Sequence, residues 1–545
     1  MDILSQAMRN LGKTAVISAN RRYTYDQILQ SSDSISRHLL DVAPKLPGAD
    51  PPRVGIYSAP GAEYLAGTLA IWKAGCIAVP LAVSHPPREL AYVLQDSGIT
   101  AVLSNQESAS KLSQVSTEAR AHLHIMDSVD STVLLPSDNT SSALSGRFGF
   151  SSVDQENREA PHQLDPKPSE TGALIIYTSG TTGKPKGVLH SHRSLRAQIH
   201  GLVQAWRWSS QDTILHTLPL HHIHGIVNAL YCPAFVGATT SFMPKFSAVE
   251  VWNEIMAGHV SVFMGVPTMY SFLLAHYDQM SSEQQALARQ SAAALRLTIS
   301  GSSACPVPIM NKWKELSGKY LLERYGMTEI GMALSNPYEG ERRPGTVGAP
   351  LPGVTVRIQD DGELLVKGDY LFSKYWGREE ATREAFTSDG YFKTGDSAEL
   401  TSSDASERSD DSSLGSIESS AVHQYYQIMG RTSVDIIKSA GYKISALMVE
   451  SVILEYPGVS EVAVLGVPEE VYGEVVTALV ALKPGSKSVT QKDLTGFCRE
   501  RLAPYQAPKR WKFVESLPRN AMGKLNKKEL LKTILETGQQ EKSVD

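Results

Sequence analysis

The sequence predicts an α/β protein: a large N-terminal part built on mixed, mostly parallel sheets flanked by helices, followed by a smaller α+β part. Three observations carry that reading. Between Arg53 and Asn105 apolar, β-rich runs alternate with helical ones, the same rhythm returns after residue 170, and beyond residue 420 the composition changes. Strands separated by helical stretches are the pattern of a parallel sheet, because each parallel return needs a crossover. In order, RVGIYS reads as a strand, GAEYLAGTLAIWKAG as a helix, CIAVPLA as a strand, PRELAYVLQDSG as a helix and TAVLSN as a strand. Residues 136–170 are rich in Ser, Pro and charge, and read as a solvated connection between two α/β halves. The stretch 401–420 holds nine serines and five acids. It has too little apolar surface to offset its ordering entropy and is expected to be a disordered surface insertion. After it come strand-like SEVAVLGVP and VVTALVAL, helical SALMVESVILEY and QKDLTGFCRERL, and a lysine-rich tail. Domains are therefore expected at 1–430 and 431–545.

Composition narrows the function. With 52 basic and 57 acidic residues the net charge is −5, which leaves no summed positive field for nucleic acid or an anionic membrane. Any phosphate site must be local. Cys76, Cys232, Cys305 and Cys498 lie far apart without CxxC spacing, so neither a disulfide framework nor a zinc site is expected, and a reducing compartment fits. Leu65 to Val83 approaches membrane length, but Lys73 and Pro80 interrupt it and it reads as a helix running into a buried strand. The first residues lack a secretory pattern and are poor in arginine, which makes the cytoplasm the expected location and a mitochondrial form the alternative. A monomer is the default expectation.

The strongest chemical signal is ALIIYTSGTTGKPKG, from Ala173 to Gly187. An apolar run opens into hydroxyls, three glycines and two lysines, so that N–H groups, hydroxyls and ammonium charges can converge on an anion. It is no P-loop: the GxxxxGK[ST] spacing is absent, and Pro185 stands where the magnesium-binding hydroxyl would be. In ERYGMTE, Thr328 and Glu329 end a strand-like run where they can reach phosphate and a hard cation. In YFKTGD, Asp396 can accept both hydroxyls of a ribose. In PRNAMGK, Gly523 gives the chain freedom to present the Lys524 ammonium in a cleft. Lys527, Lys528 and Lys532 read as a solvated helix face.

YTSGTTGKPKG resembles the signature of the adenylate-forming superfamily of acyl-CoA synthetases, adenylation domains and luciferases. PLHHIHG, YGMTE, TGD, Gly430-Arg431 with Gly441, and PRNAMGK follow in that superfamily's order, over residues from about 20 to 535. The resemblance implies a barrel-like subdomain in the large domain and a mobile small domain. It implies ATP and CoA as cosubstrates with Mg2+. Thr178, Ser179, Gly180, Thr181, Thr182, Gly183, Lys184 and Lys186 would hold the ATP phosphates; Glu329 would hold Mg2+ and Thr328 touch the α-phosphate. Gly301, Ser302, Tyr325, Gly326, Asp396 and Arg431 would surround AMP. Lys524 would stabilise charge as a carboxylate attacks the α-phosphate. The small domain would turn at Ser433, Val434 or Asp435, bringing Gly441 in to line a CoA tunnel; Lys443 would meet a CoA phosphate or be a surface strand lysine.

For the acid, His222 resembles the position at the entrance of the acyl pocket. Arg296 either holds a second carboxylate bidentately or anchors its strand. HTLPLHHIHGIVNAL, VFMGVPTMY, LRLTISGSSA and GRTSVDIIKSAGYKIS look most like malonyl-CoA synthetases, which implies malonate as substrate. A synthetase for methylmalonate or another short, medium-chain or aromatic acid is the alternative reading. A silent nucleotide-binding protein on the same fold is the other, which the intact Thr182, Glu329, Asp396 and Lys524 disfavour.

Overall fold

The structure is a computed structural model that describes residues 2–44, 50–129, 132–133, 170–178, 184–401, 424–469, 473–483, 485–486, 489–519 and 525–541. The expected linker 136–170 apart from its last residue, the expected insertion 401–420 apart from its first, Ser179 to Gly183, and Lys524 lie outside the described residues. The chain packs as two compact units, Met1–Phe246 with Leu371–Glu379, and Ser247–Tyr370 with Glu380–Asp545.

In the first unit all five elements expected between residues 53 and 105 occur: strand Arg53–Tyr57, helix Ala62–Lys73, strand Ile77–Pro80, helix Pro87–Ser97 and strand Ile99–Ser104. These strands pair in parallel, extended by His122–Ile125 on one side and Gly172–Thr178 on the other. Lys186–Ser191 and Lys374–Tyr375 complete the seven-stranded sheet antiparallel. Helix Ala62–Lys73 is buried from Tyr64 to Trp72, which is why its sequence is apolar on every side without being a membrane span. Its polar tips are satisfied inside the unit: Tyr64 Oη donates to the Leu220 carbonyl at 2.6 Å and Trp72 Nε1 to the Ala173 carbonyl at 2.8 Å. The N-terminal residues also add a hairpin, Thr14–Ser18 with Arg21–Thr24, that leads into helix Tyr25–Val42. Gln27 Oε1 accepts from the Thr24 N–H at 2.8 Å, half of a capping box that fixes where this helix starts.

The second unit opens with parallel strands Val262–Gly265, Leu297–Ser300 and Leu322–Met327, to which Gly331–Ser335 and Ala349–Pro350 add antiparallel. Helices Pro267–Tyr277 and Val307–Ser317 pack through buried aromatics. The Tyr270 and Trp313 rings meet edge to face at 5.1 Å, and Tyr270 Oη donates to the Ile299 carbonyl at 2.8 Å. A four-stranded antiparallel sheet of Val354–Ile358, Glu363–Gly368, Phe392–Thr401 and Tyr425–Arg431 corresponds to the expected barrel-like subdomain. The remaining residues build a separate sheet from Ile436–Ser439, Tyr442–Ser445, Val459–Glu469, Gly473–Leu482 and Arg510–Val514. One core cluster, with Ile437, Ile444, Val449, Ile453, Val464, Val476, Leu494 and Cys498 among its buried members, closes within this segment.

Candidate active site

The anion-binding motif forms a hairpin in the first unit. Strand Gly172–Thr178 runs out to Thr178, which pairs with Lys186 at the start of the returning strand. The base of this hairpin is tied down by one carboxylate. Asp96, on helix Pro87–Ser97, accepts from Tyr177 Oη at 2.8 Å and from Arg378 Nη2 at 2.6 Å. Tyr92, one turn earlier, donates to the Pro185 carbonyl at 2.8 Å. Burial and the Asp96 carboxylate push the Tyr177 hydroxyl far above its ordinary range, so it stays a donor at all working pH values. Lys184 sits over the Tyr92 ring at 5.6 Å and Lys186 over the Tyr375 ring at 5.1 Å.

Further along this unit, PLHHIHG leads into a π-helical segment, His224–Tyr231, all of whose residues are buried. Segments of this kind recur at functional sites. Gly225 is required there, since a Cβ would overlap the Pro219 carbonyl oxygen. The partly exposed His222 ring lies 4.1 Å from that of His221, which lies 5.5 Å from His85. Burial holds His221 and His216 down at about 4, so both are neutral imidazoles at neutral pH. His216 then donates from Nε2 to the Gly225 carbonyl at 2.9 Å.

In the second unit, strand Leu322–Met327 carries Tyr325 and Gly326 to Thr328 and the buried Glu329, where the chain turns back into Gly331–Ser335. Tyr325 Oη donates to Asp396 Oδ2 at 2.6 Å, and Arg431 Nε stands 3.5 Å from Asp396 Oδ1. Asp396 and Arg431 are directly opposite in the pair Phe392–Thr401 with Tyr425–Arg431. Burial raises the Asp396 carboxyl above its usual range, while the Tyr325 hydroxyl and the Arg431 charge oppose that. The structure thus brings together Tyr325, Asp396 and Arg431, three residues distant in sequence.

Strand Leu297–Ser300 ends at Gly301, followed by Ser302 with φ +70°. Arg296 stands at the opposite end of this strand, its guanidinium over the Tyr338 ring at 5.6 Å. The cation beside Gly301 is instead Arg324, missed in the sequence: its guanidinium fills the place a Gly301 Cβ would take. Arg324 is buried, and its Nε and Nη2 have no hydrogen-bond partner. Its neighbour Glu323 accepts from the Cys305 N–H at 2.7 Å through Oε1. Burial pushes the Glu323 carboxyl up to about 8 and the Arg324 guanidinium down to about 9. The charge of each opposes the shift of the other. Two charged residues in the buried run LLERYGM were the available signal.

Arg431 to Asp435 forms a turn in which the Asp435 N–H donates to the Arg431 carbonyl at 2.8 Å. Ser433 and Val434 lie within it, exposed and partly exposed respectively. Gly441 occupies the turn between Ile436–Ser439 and Tyr442–Ser445, and Lys443 Nζ donates to the Asp361 carbonyl at 2.8 Å. Lys528 and Lys532 are exposed, but Lys527 is not the solvated residue expected: its side chain, partly buried, lies between Asp435 and Glu450 at 2.6 and 2.7 Å. Two carboxylates compensate the loss of hydration that an exposed helix face would have supplied. Among the described residues, no three His, Cys, Asp or Glu side chains converge as a metal site, and no helix is long and apolar enough to cross a membrane.

The hairpin carries the motif expected to hold phosphate, and the Tyr325, Asp396 and Arg431 set includes the carboxylate expected to hold a ribose, both expectations of a nucleotide-using protein. The chain belongs to the AMP-binding enzyme family, whose description matches residues 4–376, and the family's C-terminal domain matches residues 448–524. Among similar proteins, the malonate--CoA ligase of Arabidopsis thaliana is 39% identical, with 97% of this chain and 88% of that protein covered. The mitochondrial malonate--CoA ligase ACSF3 of Mus musculus is 40% identical, with 97% and 89% covered. ATP-bound MatB from Rhodopseudomonas palustris superposes with a TM-score of 0.78 at 28% identity, covering 98% of both chains.

Proposed function

We propose that the protein is an ATP-dependent malonate–CoA ligase. In the first half-reaction a malonate carboxylate oxygen attacks the α-phosphorus of ATP, the bond to pyrophosphate breaks, and malonyl-AMP forms. In the second, the CoA sulfur attacks the acyl carbonyl, its proton passes to solvent, and the bond to AMP breaks. The adenylate is needed because a free carboxylate is a poor acyl donor, whereas AMP is a good leaving group.

The observation that carries the choice of acid is Arg324: a buried guanidinium on Gly301 with two unpartnered N–H groups. A buried cation left so is costly, and a planar carboxylate matches its fork. A dicarboxylic acid brings that second carboxylate; a monocarboxylic acid does not. The names of the Arabidopsis and mouse relatives support the same substrate. Arg296, at the far end of its strand, then serves as the strand anchor, and His222 borders the acyl group.

Residues Thr178 to Gly183 with Lys184 and Lys186 hold the phosphate chain. Asp396, oriented by Tyr325 and flanked by Arg431, accepts the ribose hydroxyls, while Gly301, Ser302 and Gly326 line the nucleotide and Thr328 meets the α-phosphate. The buried Glu329 carboxylate is a hard oxygen donor of the kind Mg2+ prefers, and Mg2+ bound there with ATP would screen the phosphate charge during attack. Lys524 supports adenylation, and Gly441 and Lys443 serve CoA. The domain boundary falls at Gly430/Arg431, with the pivot among Ser433, Val434 and Asp435. Four free, buried cysteines suit a reducing compartment, the cytoplasm or a mitochondrial interior.

The test is AMP release from the purified protein with MgATP and CoA against malonate, methylmalonate, succinate, acetate, octanoate and 4-coumarate. Preference for malonate is expected. Preference for a monocarboxylate would discard the Arg324 assignment and keep the two-step chemistry, and silence with every acid would defeat the enzyme reading.

A further inference from the structure

Lys527 opens helix Lys527–Glu541, three residues after Lys524. Its ammonium, with a side chain only 10% exposed, lies 2.6 Å from Asp435 Oδ1 and 2.7 Å from Glu450 Oε1. Each acid has a second task. Glu450, on helix Ala446–Leu454, also accepts the Val464 N–H at 2.7 Å through Oε1. Asp435 turns its other oxygen, Oδ2, to the Arg431 N–H at 3.1 Å. The Asp435 carbonyl accepts the Ala446 N–H at 2.8 Å, tying the same residue to the start of the Glu450 helix.

Followed outward, these contacts form one chain. Lys527 holds Asp435, Asp435 caps the backbone of Arg431, the Arg431 side chain stands at Asp396, and Asp396 holds Tyr325. One lysine thus connects the first turn of the C-terminal helix to the carboxylate assigned to the ribose, through the turn Arg431–Asp435. Burial alone would lower the lysine's affinity for its proton, and the two carboxylates more than reverse that, so the ammonium stays charged.

We propose that Lys527 is a positioning residue for the nucleotide site: by fixing the Asp435 carboxylate on the Arg431 turn, it sets the Arg431 side chain at Asp396, where ATP and malonyl-AMP place the same ribose. Without the ammonium, Asp435 and Glu450 are two close carboxylates with no shared counter-charge. Their repulsion turns Asp435 away, and the Arg431 cap is lost. Malonyl-AMP carries the same ribose as ATP, so the loss weakens the binding of both nucleotides and leaves the turnover of a bound nucleotide nearly intact.

The inference rests on the two-step ligase reading above, and the experiment separates their failures. Wild-type, Lys527→Met and Lys527→Arg full-length proteins are compared in malonate-dependent ATP–pyrophosphate exchange and in transfer of malonyl from supplied malonyl-AMP to CoA. Wild-type inactivity in both would defeat the ligase reading itself. With an active wild type, Lys527→Met is expected to raise KM about tenfold for ATP in exchange and for malonyl-AMP in transfer, to change kcat less than about twofold, and to be largely rescued by Lys527→Arg. KM does not depend on the folded fraction, so a destabilised variant still gives an answer. An unchanged KM for both nucleotides, or a loss of kcat alone, would overturn the proposal.

Discussion

Arg324 and Glu323 are adjacent in one strand and face different demands. The guanidinium lacks partners for two N–H groups, and the carboxyl is held by the Cys305 N–H in a place that favours its neutral form. Replacing Arg324 by Met should cut kcat/KM for malonate about 100-fold, roughly the 3 kcal/mol of a hydrogen-bonded charge contact, and change the low activity with acetate far less. A parallel loss with both acids would make Arg324 structural. For Glu323 the sign follows from its raised value: the folded protein keeps a proton that the unfolded chain releases above pH 4.5. Stability on this account falls as pH rises from about 4.5 and is fully lost above about 8. Glu323→Gln keeps the acceptor for Cys305 N–H, so its Tm relative to wild type should be unchanged or lower at pH 5 and higher at pH 9. A Tm difference that does not vary with pH would count against a buried, proton-holding Glu323. Neither residue stands out in the sequence, where each reads as one more charge before YGMTE. The burial that gives them their properties comes from strands on either side.

At the scale of elements, the parallel strands and their helices were legible because burial on both faces leaves continuous apolar runs, as in RVGIYS and CIAVPLA. The π-helical turn was not: HGIVNALY has the composition of an ordinary buried helix, and nothing in its periodicity marks the wider hydrogen-bond spacing. Its one local sign is Gly225, whose necessity appears only with the Pro219 carbonyl beside it. Gly225→Ala should lower stability by about 1–3 kcal/mol, the usual cost of overpacking, as read from chemical denaturation midpoints. An unchanged midpoint would mean that the π turn relaxes without penalty. The hairpin of the anion motif shows the opposite case. Its residues announce themselves, yet the supports at its base, Asp96, Tyr92 and Arg378, come from remote positions with no motif of their own.

For the molecule as a whole, the family was readable because several short motifs follow one another in the family's order along the chain. The units into which the chain packs were less readable, since Leu371–Glu379 returns to the first unit by adding a strand beside Lys186–Ser191. Such a return leaves no mark in local composition. The C-terminal segment, by contrast, has a core cluster of its own. A fragment of residues 431–545 should therefore fold alone, with a cooperative thermal transition and a circular dichroism spectrum of mixed helix and strand. A non-cooperative melt would show that its core depends on the rest of the chain. The four cysteines bear on how the whole enzyme can be assayed. All are buried, with Cys232 and Cys305 held far above the ordinary thiol range and Cys498 at about 11, each mainly by burial. Attack on an aromatic disulfide reagent needs an accessible thiolate, so in the native protein such a reagent will colour with coenzyme A alone, and its fading signal becomes a direct clock for thioester synthesis.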